Sequence, residues 1–158
     1  MEGDKEMSAV EHLYVLHNNP FLFARAMMAF FESVGNKEHS LVLAYLVLPI
    51  ILDEENRKVL GRARASSNLR TFVGRRERLR SLPKRVAYYR ESTNATLRYL
   101  FSLKAIERVD NTILVARKEA VADQVTLDGL IKAAQVLGRF FRDHPAPAIY
   151  RIVGVMGL

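Results

Sequence analysis

Residues 41–52, LVLAYLVLPIIL, are twelve apolar side chains in succession, with a proline at position 49. As a helix the run would rise about 18 Å, well short of the roughly 30 Å of hydrocarbon in a bilayer, so it is not a membrane span. As a central strand it would lose a ladder hydrogen bond at Pro49. What remains is a buried helix over about 40–48, entered through His39 and Ser40 with a hydroxyl available as a cap. Pro49 cannot donate to the carbonyl of Tyr45, so the helix either kinks there or stops and restarts with Pro49 leading PIILDEENRKVL.

A second apolar segment precedes it. PFLFARAMMAFFESV, residues 20–34, follows Asn19 as a cap and carries Pro20 in the first turn, where proline is tolerated. The segment is apolar on nearly every side through Phe31, which predicts a helix surrounded by protein. Arg25 interrupts it. A cation there must reach water along its own stem or find an acid, inside the chain or across an interface.

A chain of 158 residues suits one domain and buries about two thirds of the surface its unfolded form exposes. We expect an N-terminal segment over 1–17 and a single domain over 18–158. That domain comprises a helical core over about 20–80, a helix-plus-hairpin part over about 84–117, and a C-terminal helix and tail over 126–158. Arg57 opens a basic, polar stretch in which SSN at 66–68 caps a short helix over 69–80. Pro83 marks another start, and KRVAYYRESTNATLRYLFSLKA reads as one long helix or as two divided near Ser92. Two β-favouring runs, 106–109 and 112–116, flank Asp110-Asn111, which tolerate the left-handed turn of a hairpin. Apolar residues at 130, 131, 134, 137, 140 and 141 then predict an amphipathic helix that ends before Pro145. The tail AIYRIVGVMGL reads as a strand or a docking segment that needs cover. The expected class is mainly α, a compact helical domain with a winged-helix-like helix plus β-hairpin element.

The residues of chemistry are sparse. There is no Walker-type glycine loop, GxSxG or HExxH, and cysteine is absent, which removes disulfides and thiolate metal sites and fits a reducing cytoplasm. The histidines at 12, 17, 39 and 144 include no i, i+4 pair, and Asp53-Glu54-Glu55 suit a helix start better than a metal. Neither an enzyme nor a cofactor is expected. The opening MEGDKEMSAV is acidic, unlike a secretory signal, so a cytoplasmic protein with no membrane partner is expected.

Charge is divided along the chain. Residues 1–56 hold 3 Lys/Arg against 9 Asp/Glu, residues 57–98 hold 13 against 2, and the remainder 8 against 6. The middle block calls for an acidic partner, either phosphate or protein. Its candidate binding residues are Arg70, Arg75, Arg76, Arg78, Arg80, Lys84, Arg85, Arg90, Asn94 and Arg98. Arginines there would grip phosphates while Tyr88 or Tyr89 stacks on a base; the alternative is a solvated helix face neutralised by acids. In a DNA-reading winged helix Ser92, Thr93, Asn94, Thr96 and Arg98 would face the bases, although caps and helix surface account for Ser-Thr-Asn equally well. Candidate partner-interface residues are Arg25, Tyr88, Tyr89, Ile152, Val153 and Val155.

Several of these passages together resemble a known family. NNPFLFARAMMAFFESV, LVLAYLVLPIILDEENRKVL, the stretch from LRTFVGRRERLRSLPKRVAYYR through the hairpin to LVAR, and the closing IYRIVGV are similar to the middle component of bacterial three-component ABC ATPase systems. The most specific parts are Asn19-Pro20, Leu48-Pro49, the helix-hairpin passage and residues 151–155. The resemblance implies a non-enzymatic adaptor that couples an ABC-type, nucleoprotein-handling ATPase to an effector component, in systems acting against mobile genetic elements. DNA contact through the basic block is compatible with it. A free-standing winged-helix DNA-binding regulator is the alternative reading.

Overall fold

The computed structural model describes residues 20–121 and 129–156. The expected N-terminal segment, with His12 and His17, and residues 126–128 lie outside the described residues. Among the described residues seven α-helices and one hairpin follow in order: α1 Pro20–Val34, α2 Ser40–Ile51, α3 Glu54–Gly61, α4 Leu69–Val73, a 3₁₀ turn Arg76–Leu79, α5 Leu82–Ser102, β1 Ile106–Val109, β2 Thr112–Val115, a 3₁₀ turn Lys118–Ala120, α6 Leu130–Arg142 and α7 Ala146–Val153. The mainly helical class with one helix-plus-hairpin element is therefore what the chain adopts.

The apolar run forms α2, the innermost element. Leu43, Leu46, Val47, Leu48, Ile50 and Ile51 have no exposed surface. The helix does not restart at Pro49 but continues through it to Ile51. An interior proline costs about 3 kcal/mol. Burying each of these side chains returns about 1.5–3 kcal/mol, so keeping the last turn helical wins. The restart comes four residues later, where Asp53 accepts from the Asn56 amide and caps α3. His39 sits at the N-cap of α2 with left-handed backbone (φ 61°) and makes no side-chain cap. The expected capping hydroxyl is used elsewhere: Ser40 Oγ is fully buried and accepts from the Ile113 amide at 2.8 Å. The Leu41 amide donates to the Asn111 carbonyl at 3.0 Å. These two bonds tie the hairpin to the start of α2.

Around α2 pack α1, α5, α6, α7 and the hairpin. The closest helix pair is α1 with α6, where the small residues Ala133, Ala134 and Gly138 are buried. Arg142 completes that pair by donating through Nε and Nη2 to the Ser33 carbonyl, in the last turn of α1. Such carbonyls lack intrahelical donors and carry the negative end of the helix dipole, so a guanidinium there satisfies both needs.

The basic stretch after Asn68 departs from the expected helix over 69–80. Asn68 caps α4 through a reciprocal pair of bonds with Thr71, as its position suggested, but α4 ends at Val73. Continuing it would stack Arg76 on Arg80 and Arg75 on Arg78 at helical spacing, like charges on one face. Instead Arg75 leaves the helical conformation (φ −102°, ψ 86°) and the chain re-forms as a 3₁₀ turn. The long segment after Pro83 is one helix, undivided at Ser92, because Ser92, Thr93 and Thr96 face inward and are buried. It ends in a Schellman motif: Lys104 at φ 55°, with Ala105 N donating to Leu100 O and Lys104 N to Phe101 O, both at 3.0 Å. The chain then turns directly into the hairpin, paired Ile106 with Val115 through Val109 with Thr112, with Asp110 at φ 54°.

The tail forms a helix, not a strand. Pro145 and Pro147 set its first turn, Ile149 and Val153 at i, i+4 are buried, and Gly154 stops it with left-handed φ of 83°. Val155 N closes on Tyr150 O at 2.9 Å, burying Val155. The cover this segment needs comes from its own core.

Candidate interaction surface

Arginine is abundant around α4, the first 3₁₀ turn and α5, and the fold divides these cations into two populations. Arg85 is turned inward. It donates to the Pro49 carbonyl and the Arg78 carbonyl, each at 3.1 Å, and its Nη1 stands 3.1 Å from Asp53 Oδ1. Arg57 donates to the Ile51 carbonyl at 3.0 Å, so two guanidiniums close the last turn of α2. Arg78 does the same for α4, donating to the Phe72 carbonyl at 2.6 Å and lying over the Phe72 ring; its other partner is Asn56 Oδ1. Burial pulls the Arg78 guanidinium below its ordinary range, and the charge of Arg75 acts in the same direction.

The second population faces solvent. Arg70 lies on α4, and Lys84, Arg90 and Arg98 lie on α5, all exposed. Arg75, Arg76 and Arg80 converge on one groove of about 810 Å³ between the 3₁₀ turn and the end of α7. Arg151 of α7 completes the wall opposite. Leu79, Ile152 and Val153 supply apolar lining, Val153 itself almost entirely buried. Glu77 is the one carboxylate among the lining residues. Among the described residues none of the four guanidiniums is engaged in an ion pair or hydrogen bond. The C-terminus of α7 places the partial negative charge of its carbonyls at this end of the groove.

The remaining candidates fall elsewhere. Asn94 is half-buried and accepts from Tyr45 Oη at 2.6 Å. Tyr89 is buried and stands edge-on to Tyr88, which is exposed. Arg25 is half-buried and lines a separate cleft of about 560 Å³ with Glu32, Lys118 and Gln135. Sequence reasoning put Ile152 and Val153 among interface residues but not Arg151. Reading the tail as a helix between Pro147 and Gly154 would have placed Arg151 in the last turn, beside them.

Every lining residue of the groove thus lies within the passages that resemble a family. A family model described as ABC-three component (ABC-3C) system Middle Component 3 matches residues 7–156. This chain belongs to that family. No curated protein and no solved structure matches it. A middle component is by description one of several components, so this middle component has partners. Among the described residues no helix is long and apolar enough to cross a membrane, and no group of His, Asp or Glu is placed to hold a metal ion.

Proposed function

We propose that this middle component is a non-enzymatic adaptor that couples an ABC-type, nucleoprotein-handling ATPase to an effector, within a cytoplasmic system directed against mobile genetic elements. Family membership carries the reading. The molecule supports it physically: its polar residues close helix ends and crowd an open groove, and its outward face offers charge and apolar surface together, as a protein-docking surface requires.

The free-standing DNA-binding regulator fits less well. In a recognition helix the polar residues would meet base edges, yet Ser92, Thr93 and Thr96 are buried, and Asn94 is bonded to Tyr45. Arg108, the cation of the hairpin tip, folds back onto the Asp110 carbonyl.

The test is co-expression with the ABC-type ATPase of the same system, followed by size-exclusion chromatography. A stable complex at micromolar concentration is expected. Separate elution overturns the adaptor reading.

A further inference from the structure

We propose that the groove between the Arg76–Leu79 turn and the end of α7 takes an acidic peptide segment of a partner protein, one carrying apolar side chains among its carboxylates, rather than nucleic acid. The inference rests on the adaptor reading and says which chemistry the adaptor grips. Four guanidiniums against one carboxylate leave a formal excess of three positive charges in a space of about 810 Å³. Among the described residues none of these cations forms an ion pair, and such a concentration is complementary to carboxylates or phosphates.

Two observations separate these two. Nucleic acid held without sequence preference needs a cationic track with aromatic faces for the bases. Among the described residues the groove has no aromatic lining residue; its apolar lining is the half-buried Ile152 with Leu79 and Val153 nearly buried beside it, which suits an aliphatic side chain at Ile152 and offers a base nothing to stack on. Second, Arg78 and Arg85, which in sequence would extend the cations into a continuous track, point inward to carbonyls. The row of groove cations is thereby interrupted at positions 78 and 85, while the other exposed cations, Arg70, Lys84, Arg90 and Arg98, lie outside the groove.

The full-length chain is titrated, by fluorescence anisotropy at physiological ionic strength, into a labelled peptide of Leu-Glu-Glu repeats and into labelled oligo-dT. Wild type and Lys132→Glu, an exposed control on α6 outside the groove, are expected to bind the peptide alike and more tightly than oligo-dT. Arg76→Glu combined with Arg151→Glu is expected to weaken peptide binding at least about tenfold. The milder Arg76→Gln with Arg151→Gln should weaken it in the same direction, which guards against misfolding of the charge-reversed protein. Tighter oligo-dT binding that the same pairs abolish assigns the groove to nucleic acid and overturns the proposal. Peptide binding that is absent, or equal in every variant, also overturns it. So does light scattering that shows a wild-type dimer turned into a monomer by the pairs, since a second copy then fills the groove. Failure of wild type to co-elute with the ATPase would sink the adaptor reading instead, and the titrations would still decide the groove.

Discussion

Gly138 of α6 meets the Phe30 carbonyl of α1 so closely that a Cβ on Gly138 would stand 2.8 Å from that oxygen and 2.8 Å from Ser33 Cβ. The obstacle is main chain within a packed helix, which cannot swing aside as a side chain tip can. Gly138→Ala therefore destabilises the fold by about 1–3 kcal/mol through forced separation of the two helices. Alanine's better helix propensity, worth about 1 kcal/mol, offsets only part of this. Urea unfolding checks it, and a midpoint at or above that of wild type would show that α1 and α6 separate freely.

Removing the Ser40 hydroxyl strands the buried Ile113 amide. Ser40→Ala should cost about 1–3 kcal/mol, the desolvation of an unpaired donor. Amide exchange at Ile113 would quicken relative to the helix interiors. Unchanged protection there would mean that the hairpin is held by its own pairing alone.

Thr93 presents the opposite case, since its hydroxyl is buried without a hydrogen-bond partner. Thr93→Val keeps the shape and removes the unmet polar group, so stability should hold or rise by up to about 1 kcal/mol. Thr96 Oγ1 bonds to the Ser92 carbonyl at 2.8 Å, and Thr96→Val serves as the comparison that loses a bond. A larger loss at position 93 than at 96 would contradict the assignment.

Lys104 holds a left-handed conformation that costs a side-chain-bearing residue about 1–2 kcal/mol. Lys104→Gly relieves this while adding freedom to the unfolded chain, for a net gain of about 0.5–1 kcal/mol. Thermal melting should show a higher midpoint, and a lower one would refute the Schellman ending of α5.

Tyr150 donates to the Val42 carbonyl at 2.6 Å, and burial pushes its phenol well above the ordinary tyrosine range. The folded state thus holds this proton more tightly than the unfolded state does. Its contribution is complete below the unfolded pKa of about 10 and declines as pH rises beyond it. Tyr150→Phe should cost about 1 kcal/mol at neutral pH. The gap to wild type should narrow above about pH 10, and a gap that stays constant with pH would rule out this burial.

Local pattern made the helices at 20–34 and 130–142 and the hairpin at 106–115 legible, because apolar periodicity and turn-tolerant residues act within a few positions. The apolar run declared its burial but not its end, since running through Pro49 depends on neighbours that periodicity does not register. The strand alternative for the tail fails for a related reason: Ile149, Ile152 and Val153 favour strands by composition, whereas two prolines and Gly154 frame a helix. Least legible was the use of arginine. Arg85 and the Pro49 carbonyl lie thirty-six positions apart, and nothing in the composition of 74–90 distinguishes a cation that closes a helix end from one that faces water.

That division has a practical corollary for anyone dissecting the basic segment. Arg78 and Arg85 act as bolts, whereas Arg75, Arg76 and Arg80 are handles. Neutralising the whole stretch at once would loosen the scaffold along with the grip, and a lost complex would then say nothing about recognition.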